Sequence, residues 1–139
     1  MKDTILSISG RPGLFRLVAQ GHGNLIVENI LDKKRSAAGG RDRVTSLNDV
    51  SMYTDEDDVA LTQVFENIFK ATEGKKASID YKRASEAEMR DFMATALPNY
   101  DRERVHVSDM RKLAQWYNIL IEAGVTEFAD EAPATEYNE

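Results

Sequence analysis

The hydrophobic period of this chain changes at Thr54, from a spacing that suits strands to one that suits helices, and this break limits the fold more than any other feature. Ahead of it lie "TILSI", "LFRLVAQ" and "LIVENIL", short apolar runs rich in β-formers. "GRPG" separates the first two, with Pro12 fixing φ and Gly13 free to take a positive φ. Gly21, His22, Gly23 and Asn24 separate the next two and predict a hairpin. "RVTSL" and "VSMYT" add two more short strands, and "DKKRSAAGGRD" before them reads as a polar loop. Four or five short strands are too few for a sandwich and leave vulnerable edges if they lie flat. The spacing therefore predicts a small curled β-module over residues 1–53, SH3-like or Tudor-like.

Beyond Thr54 the pattern predicts three helices. The acids at 55–58 suit a helix N-terminus, Leu61, Val64, Phe65 and Ile68 follow at helical spacing, and Gly74 suits the stop, which places the first helix over 55–72. Ser85 and Glu88 have the form of a capping box, so the second helix spans 86–96, with Met89, Phe92 and Met93 apolar and Pro98 beyond its end. For the third helix Ser108 can cap, and Asp109 suits the first turn. Met110, Leu113, Ala114, Tyr117, Leu120 and Ile121 then form one stripe, closed by Gly124 with Val125 placed for a Schellman contact. Trp116 and Ile119 fall outside that stripe. The apolar arc is wider than one packed face requires, so this helix either lies between two neighbours or meets a partner. The fold class is α+β: a β-module over 1–53, a helical module over 54–126, and an acidic tail over 127–139 whose pinning would fall to Phe128 or Tyr137.

Charge narrows the function. Residues 1–53 carry eight Lys/Arg against five Asp/Glu, whereas 54–139 carry ten against nineteen, for a net −6. An acidic chain is poorly suited to non-specific nucleic-acid binding, although its first third is mildly basic. With no cysteine, disulfides, thiolate metal sites and thiol nucleophiles are excluded. No apolar run is long enough for a signal peptide or a membrane span, which makes a cytoplasmic protein the expectation.

No nucleophile elbow, phosphate loop or zinc-protease motif is present. His22 and His106 have no carboxylate or second histidine at ligand spacing, and the acids at 55–58 are explained by a helix start without a metal. The charged stretch 101–109 is too far from a tight helix-turn-helix connector, and its acids would repel phosphate. It reads as an extended lead-in, with Val105 and Val107 turned inward and Asp101, Arg102, Glu103 and Arg104 forming a surface ion-pair patch.

The blocks "SGRPGLFRLV" and "PNYDRERVHVSDMRKLAQWYN", with "LIVENI", "VTSLNDVSMYT", "KASID" and "AGVTEF" in the same order, carry a resemblance. Over residues 2 to about 128 the chain resembles a bacterial family known chiefly from Bacteroidetes-type genomes and labelled only as a domain of unknown function. The resemblance implies a soluble protein with a small N-terminal β-module and a helical C-terminal part, and it transfers no catalytic residue.

The leading expectation is a non-enzymatic interaction or scaffolding protein acting by protein–protein contact or self-association, with Trp116, Tyr117 and Ile119 as candidate contacts and neither cofactor nor metal. An alternative is RNA or single-stranded nucleic-acid binding by the β-module. It would use Arg11, Arg16, Lys33, Lys34, Arg35, Arg41 and Arg43, with Phe15 and Tyr53 for stacking. An enzyme is the third reading and would need a pocket joining His22 or His106 to two carboxylates.

Overall fold

The computed structural model describes residues 3–128. Five strands build the main sheet: β1 (Ile5–Ile8), β2 (Phe15–Gln20), β3 (Asn24–Asn29), β4 (Arg35–Gly39) and β5 (Val44–Ser46). All neighbours are antiparallel, in the order β4-β3-β2-β1-β5. A 3-10 turn (Leu47–Asp49) leads to a separate hairpin of β6 (Ser51–Met52) and β7 (Val59–Ala60). Three helices follow, α1 (Leu61–Ala71), α2 (Glu86–Ala96) and α3 (Val107–Glu122). The α+β class and the order of sheet before helices match the sequence reading.

The sheet must curl. Adjacent strands lie about 4.8 Å apart, so the edges of a flat five-stranded sheet would be roughly 19 Å apart. The connection from Gly39 to Val44 would reach at most about 17 Å if fully extended. It is instead folded back: the Asp42 amide donates to the Gly39 carbonyl at 3.1 Å, and the Asp42 carboxylate accepts from the Gly39 amide at 2.8 Å. Arg11 fastens this end of the sheet, donating to the Ala37 carbonyl at 2.9 Å and pairing with Asp42 at 3.3 Å. The hollow of the curl buries Leu6, Ile8, Phe15, Val27 and Ala38 as a small core of its own. Closure stops there, because β4 and β5 are not paired to each other, and the sheet is open rather than a closed barrel.

The other core is larger and draws on both halves of the chain. Ile5, Leu14, Ile30, Leu47 and Met52 from the sheet side pack with Val64, Phe65, Met89, Met93, Met110, Leu113 and Tyr117 from the helices. Phe128 is fully buried against Phe65, Phe69 and Tyr117, with ring centroids 5.8, 5.5 and 6.1 Å away. Of the two residues expected to pin the tail, Phe128 is thus seated in the core, and Tyr137 lies outside the described residues.

Four local expectations are corrected. The polar stretch read as a loop contains β4, because β3 offers a second hydrogen-bonding edge that small residues such as Ser36 and Ala37 can line without needing an apolar face. The first helix begins at Leu61, not at 55. Buried Thr54 donates to the Asp57 carbonyl at 2.6 Å and accepts from the Glu56 amide at 2.9 Å, a side-chain turn that outcompetes helix and leaves the acids on the β6–β7 connection. The third helix is capped two residues earlier than Ser108: Asp109 reaches back to accept from the His106 amide at 3.0 Å. Finally, the stretch before α3 is a turn rather than an extended strand. Asp101 accepts from the amides of Glu103 and Arg104, although Val105 is buried as expected.

α2 forms over the expected residues with both halves of its capping box: the Glu88 amide donates to Ser85 Oγ at 3.2 Å, and the Ser85 amide to Glu88 Oε1 at 3.0 Å. α3 ends in the expected Schellman motif, with the Val125 amide bonded to the Leu120 carbonyl and Gly124 at a φ of 88°.

Candidate interaction surface

α3 carries Lys112, Trp116 and Ile119 at spacings of four and three residues, so they share one face. The core stripe is occupied elsewhere, by Met110, Leu113, Ala114, Tyr117 and Leu120. The second face meets the sheet side of the molecule. Trp116 and Ile119 are half-buried there, packed on the edge of the large core. Trp116 stands between two concavities. One, of about 320 Å³, is lined by Val50, Met52, Tyr53, Arg104 and Lys112. The other, of about 280 Å³, is lined by Ser9, Arg11, Pro12, Lys112 and Ile119. Lys112 borders both.

The rim of this seam carries the aromatic ring of Tyr53, the cations Arg104 and Lys112, and the carboxylate of Asp109. Tyr53 is 43% exposed, one of two large hydrophobic side chains so open among the described residues, and the Arg104 guanidinium lies 4.2 Å above its ring. Arg104 also pairs with Asp101 at 2.9 Å. The Arg104 side chain, then the Arg104 and Glu103 amides, hold the Asp101 carboxyl down at about 2. The Asp101 turn therefore fixes where Arg104 stands, a turn closed by the Arg11 amide on the Ile8 carbonyl at 3.0 Å leads into Pro12, and α3 carries Trp116.

The structure separates the three expected contact residues. Trp116 and Ile119 reach the seam, but Tyr117 does not. It is fully buried, its hydroxyl sits 2.7 Å from Thr72 Oγ1 and donates to the Lys75 carbonyl at 2.7 Å, and burial pushes its pKa up. Tyr117 is a core residue that anchors the segment after α1.

The residues proposed for nucleic-acid contact are not gathered. Phe15 is buried in the hollow of the sheet and cannot stack on a base. Tyr53 stands at the seam with its ring covered by Arg104. Arg16 and Arg35 both pair with Glu28 at 3.2 Å, and these two bonds lower the Glu28 pKa, while Arg11 is occupied by Asp42 and Ala37. Lys33, Lys34, Arg41 and Arg43 are exposed, but the lysines precede β4 and the arginines follow it, so β4 lies between the two pairs. His22 is exposed in the β2–β3 hairpin, and His106 is exposed at the start of α3. Among the described residues, no group of three or more His, Asp or Glu side chains is placed to hold a metal ion, and no helix is long and apolar enough to cross a membrane.

Sequence reasoning missed Lys112, Arg104 and Pro12 as members of the seam. The helical spacing of Lys112 with Trp116 was available as a signal. The approach of the 9–13 turn and of Tyr53 was not, since it depends on how the sheet docks on α3. A further cavity, of about 680 Å³ between α1, α2 and the segment joining them, was not expected from the sequence. Its signal was a second periodic face on α2, at Glu88, Asp91, Phe92 and Thr95.

Two family models match the chain: a domain of unknown function (DUF5606) over residues 3–47 and a domain of unknown function (DUF6852) over residues 50–120. A solution NMR structure from Bacteroides vulgatus, a structural genomics target, is similar throughout, with 51% sequence identity, a TM-score of 0.78, and coverage of 100% of this chain and 98% of that one. No curated protein matches the chain.

Proposed function

The chain belongs to the bacterial family that these two domains of unknown function mark, and on that premise we propose that it is a non-enzymatic interaction protein whose partner-binding surface is the seam around Trp116. The carrying observation is that Trp116 is half-buried with an open concavity on either side. A large aromatic flanked by unfilled space, bordered by Lys112 and Arg104, has the makeup of an interface anchor. Self-association through the same surface is one form of this function. The curled sheet is read as SH3-like or Tudor-like on its strand order and its short β4–β5 connection, a fold analogy that names no ligand. A cytoplasmic setting suits a cysteine-free chain.

Trp116 is the only tryptophan in the chain, so its emission reports on this surface directly. Peptides selected by display on the full chain should shift that emission saturably, or dilution of the protein alone should shift it in step with a change in scattering mass. Lys112→Glu, at an exposed position, should weaken either effect. A strict monomer whose Trp116 emission no selected peptide moves would remove the proposal. Capture of single-stranded RNA at low salt, lost on Lys33→Glu with Lys34→Glu, would instead favour the nucleic-acid reading.

A further inference from the structure

The cavity of about 680 Å³ between α1, α2 and the segment joining them shares no lining residue with the two concavities of the seam. α2 turns one continuous stripe toward it, Glu88, Asp91, Phe92, Thr95 and Ala96, at spacings of three, one, three and one residues. That stripe runs for about 12 Å along the helix. Ile68 and Ala71 of α1 and Ile79 of the 72–85 segment form the opposite wall. Phe92 and Ile79 are only half-buried, so the floor keeps apolar surface that the chain itself does not cover.

This wall is pinned rather than loose. The Ala77 amide donates to Asn118 Oδ1 at 2.8 Å, Tyr117 bonds the Lys75 carbonyl, and Arg111 donates to the carbonyls of Tyr81 and Ala84 at 2.8 Å each. Every one of these anchors comes from α3, whose Met110, Leu113, Ala114, Tyr117 and Leu120 are buried in the large core. A groove whose walls are already fixed loses little conformational entropy when filled.

Its rim is acidic. Asp80, Glu88 and Asp91 line it against a single cation, Arg83. Asp80 is engaged by the amides of Lys82 and Arg83, and Glu88 by the cap of α2, whereas Asp91 is exposed and its carboxylate pairs with no side chain among the described residues, the Thr95 hydroxyl donating to its backbone carbonyl. The chemistry that fits an apolar floor with an acidic rim is a segment that is apolar on one side and basic on the other. We infer that the α1–α2 groove is a docking site for a basic, amphipathic segment of a partner protein, separate from the Trp116 seam.

The test uses the full chain, labelled with nitrogen-15, and two synthetic amphipathic peptides of equal length, one of leucine and lysine and one of leucine and glutamate. The lysine peptide should shift the amides of Ile79, Asp91, Phe92 and Thr95 saturably and leave Trp116 emission unmoved, while the glutamate peptide leaves all of them in place. Asp91→Lys, on the solvent side of α2, should weaken the lysine peptide about tenfold, and Asp91→Asn should weaken it less. Equal binding of both peptides, shifts spread over the whole acidic surface, or an unchanged affinity in Asp91→Lys would overturn the assignment. Shifts at the same amides that grow with protein concentration alone and vanish on Lys33→Glu with Lys34→Glu would also overturn it, naming a second copy as the occupant.

Discussion

Asp101 does three things within one turn: its Oδ1 accepts from the amides of Glu103 and Arg104 at 2.9 and 3.0 Å, and its Oδ2 pairs with Arg104 Nε at 2.9 Å. These bonds favour the ionised form and hold its pKa at about 2, below the ordinary 3.8. A carboxyl lowered in the folded state adds stability that is fully present above its unfolded value and is lost as pH falls through the folded one. The loss therefore occupies the window from about 3.8 down to about 2. Asp101→Asn keeps an acceptor for the turn but removes the titration. Its denaturant midpoint, measured against pH, should fall less steeply across that window than the parent's, and an unchanged slope would mean that the turn does not draw on this charge. Because Arg104 also covers the ring of Tyr53, the same variant should loosen the seam next to Trp116.

At the scale of elements, the end of α1 stores a cost that the sequence hides. Gly74 is the residue that sequence reasoning marks as the stop, and its φ of 81° agrees. The first left-handed residue is nevertheless Glu73, at a φ of 56°, and the Gly74 amide returns to the Phe69 carbonyl at 2.9 Å. A side chain in that region costs about 1–2 kcal/mol, offset by the roughly 0.4–1 kcal/mol that glycine loses through its freer unfolded chain. Glu73→Gly should therefore raise stability by about 0.5–1 kcal/mol in urea melts, and no gain would show that the strain is relieved elsewhere. Gly74→Ala should do the reverse, since its Cβ would also stand 3.3 Å from the Phe69 ring. Elements were legible where local chemistry acts alone, as in the Ser85–Glu88 box and the Gly124 stop. They were misread where a distant partner decides. β4 exists because β3 needs an edge partner, and the acids at 55–58 leave the helix because Thr54, seated by its bridge to Tyr100, turns its hydroxyl onto Glu56 and Asp57. The seam was half legible for the same reason, with Trp116 visible as a residue off the stripe and Pro12 invisible until the sheet docks.

At the scale of the whole molecule, sequence families and packing divide the chain differently. One family model ends at residue 47 and the other begins at 50, yet Ile5, Leu14, Ile30 and Leu47 are buried in a core whose other members all come from residues 52–128, most of them on the three helices. Exposing four such side chains forfeits about 6–12 kcal/mol, at roughly 1.5–3 kcal/mol each. A unit of some fifty residues has a net stability of only about 2.5–7.5 kcal/mol at the usual ~0.05–0.15 kcal/mol per residue. The small core in the hollow of the sheet, five buried residues with Leu17, Leu25 and Val44 around it, cannot make up that difference. A fragment of residues 3–49 should therefore show a collapsed amide spectrum and no cooperative melt. The full chain should lose sheet and helix together, with Trp116 emission and far-ultraviolet circular dichroism tracing one transition. A dispersed spectrum and a sharp melt from the fragment would mean instead that the curl and the Arg11–Asp42 fastening suffice to hold the sheet. The large core would then be a docking interface between two bodies, and the seam beside Trp116 would be free to open and close.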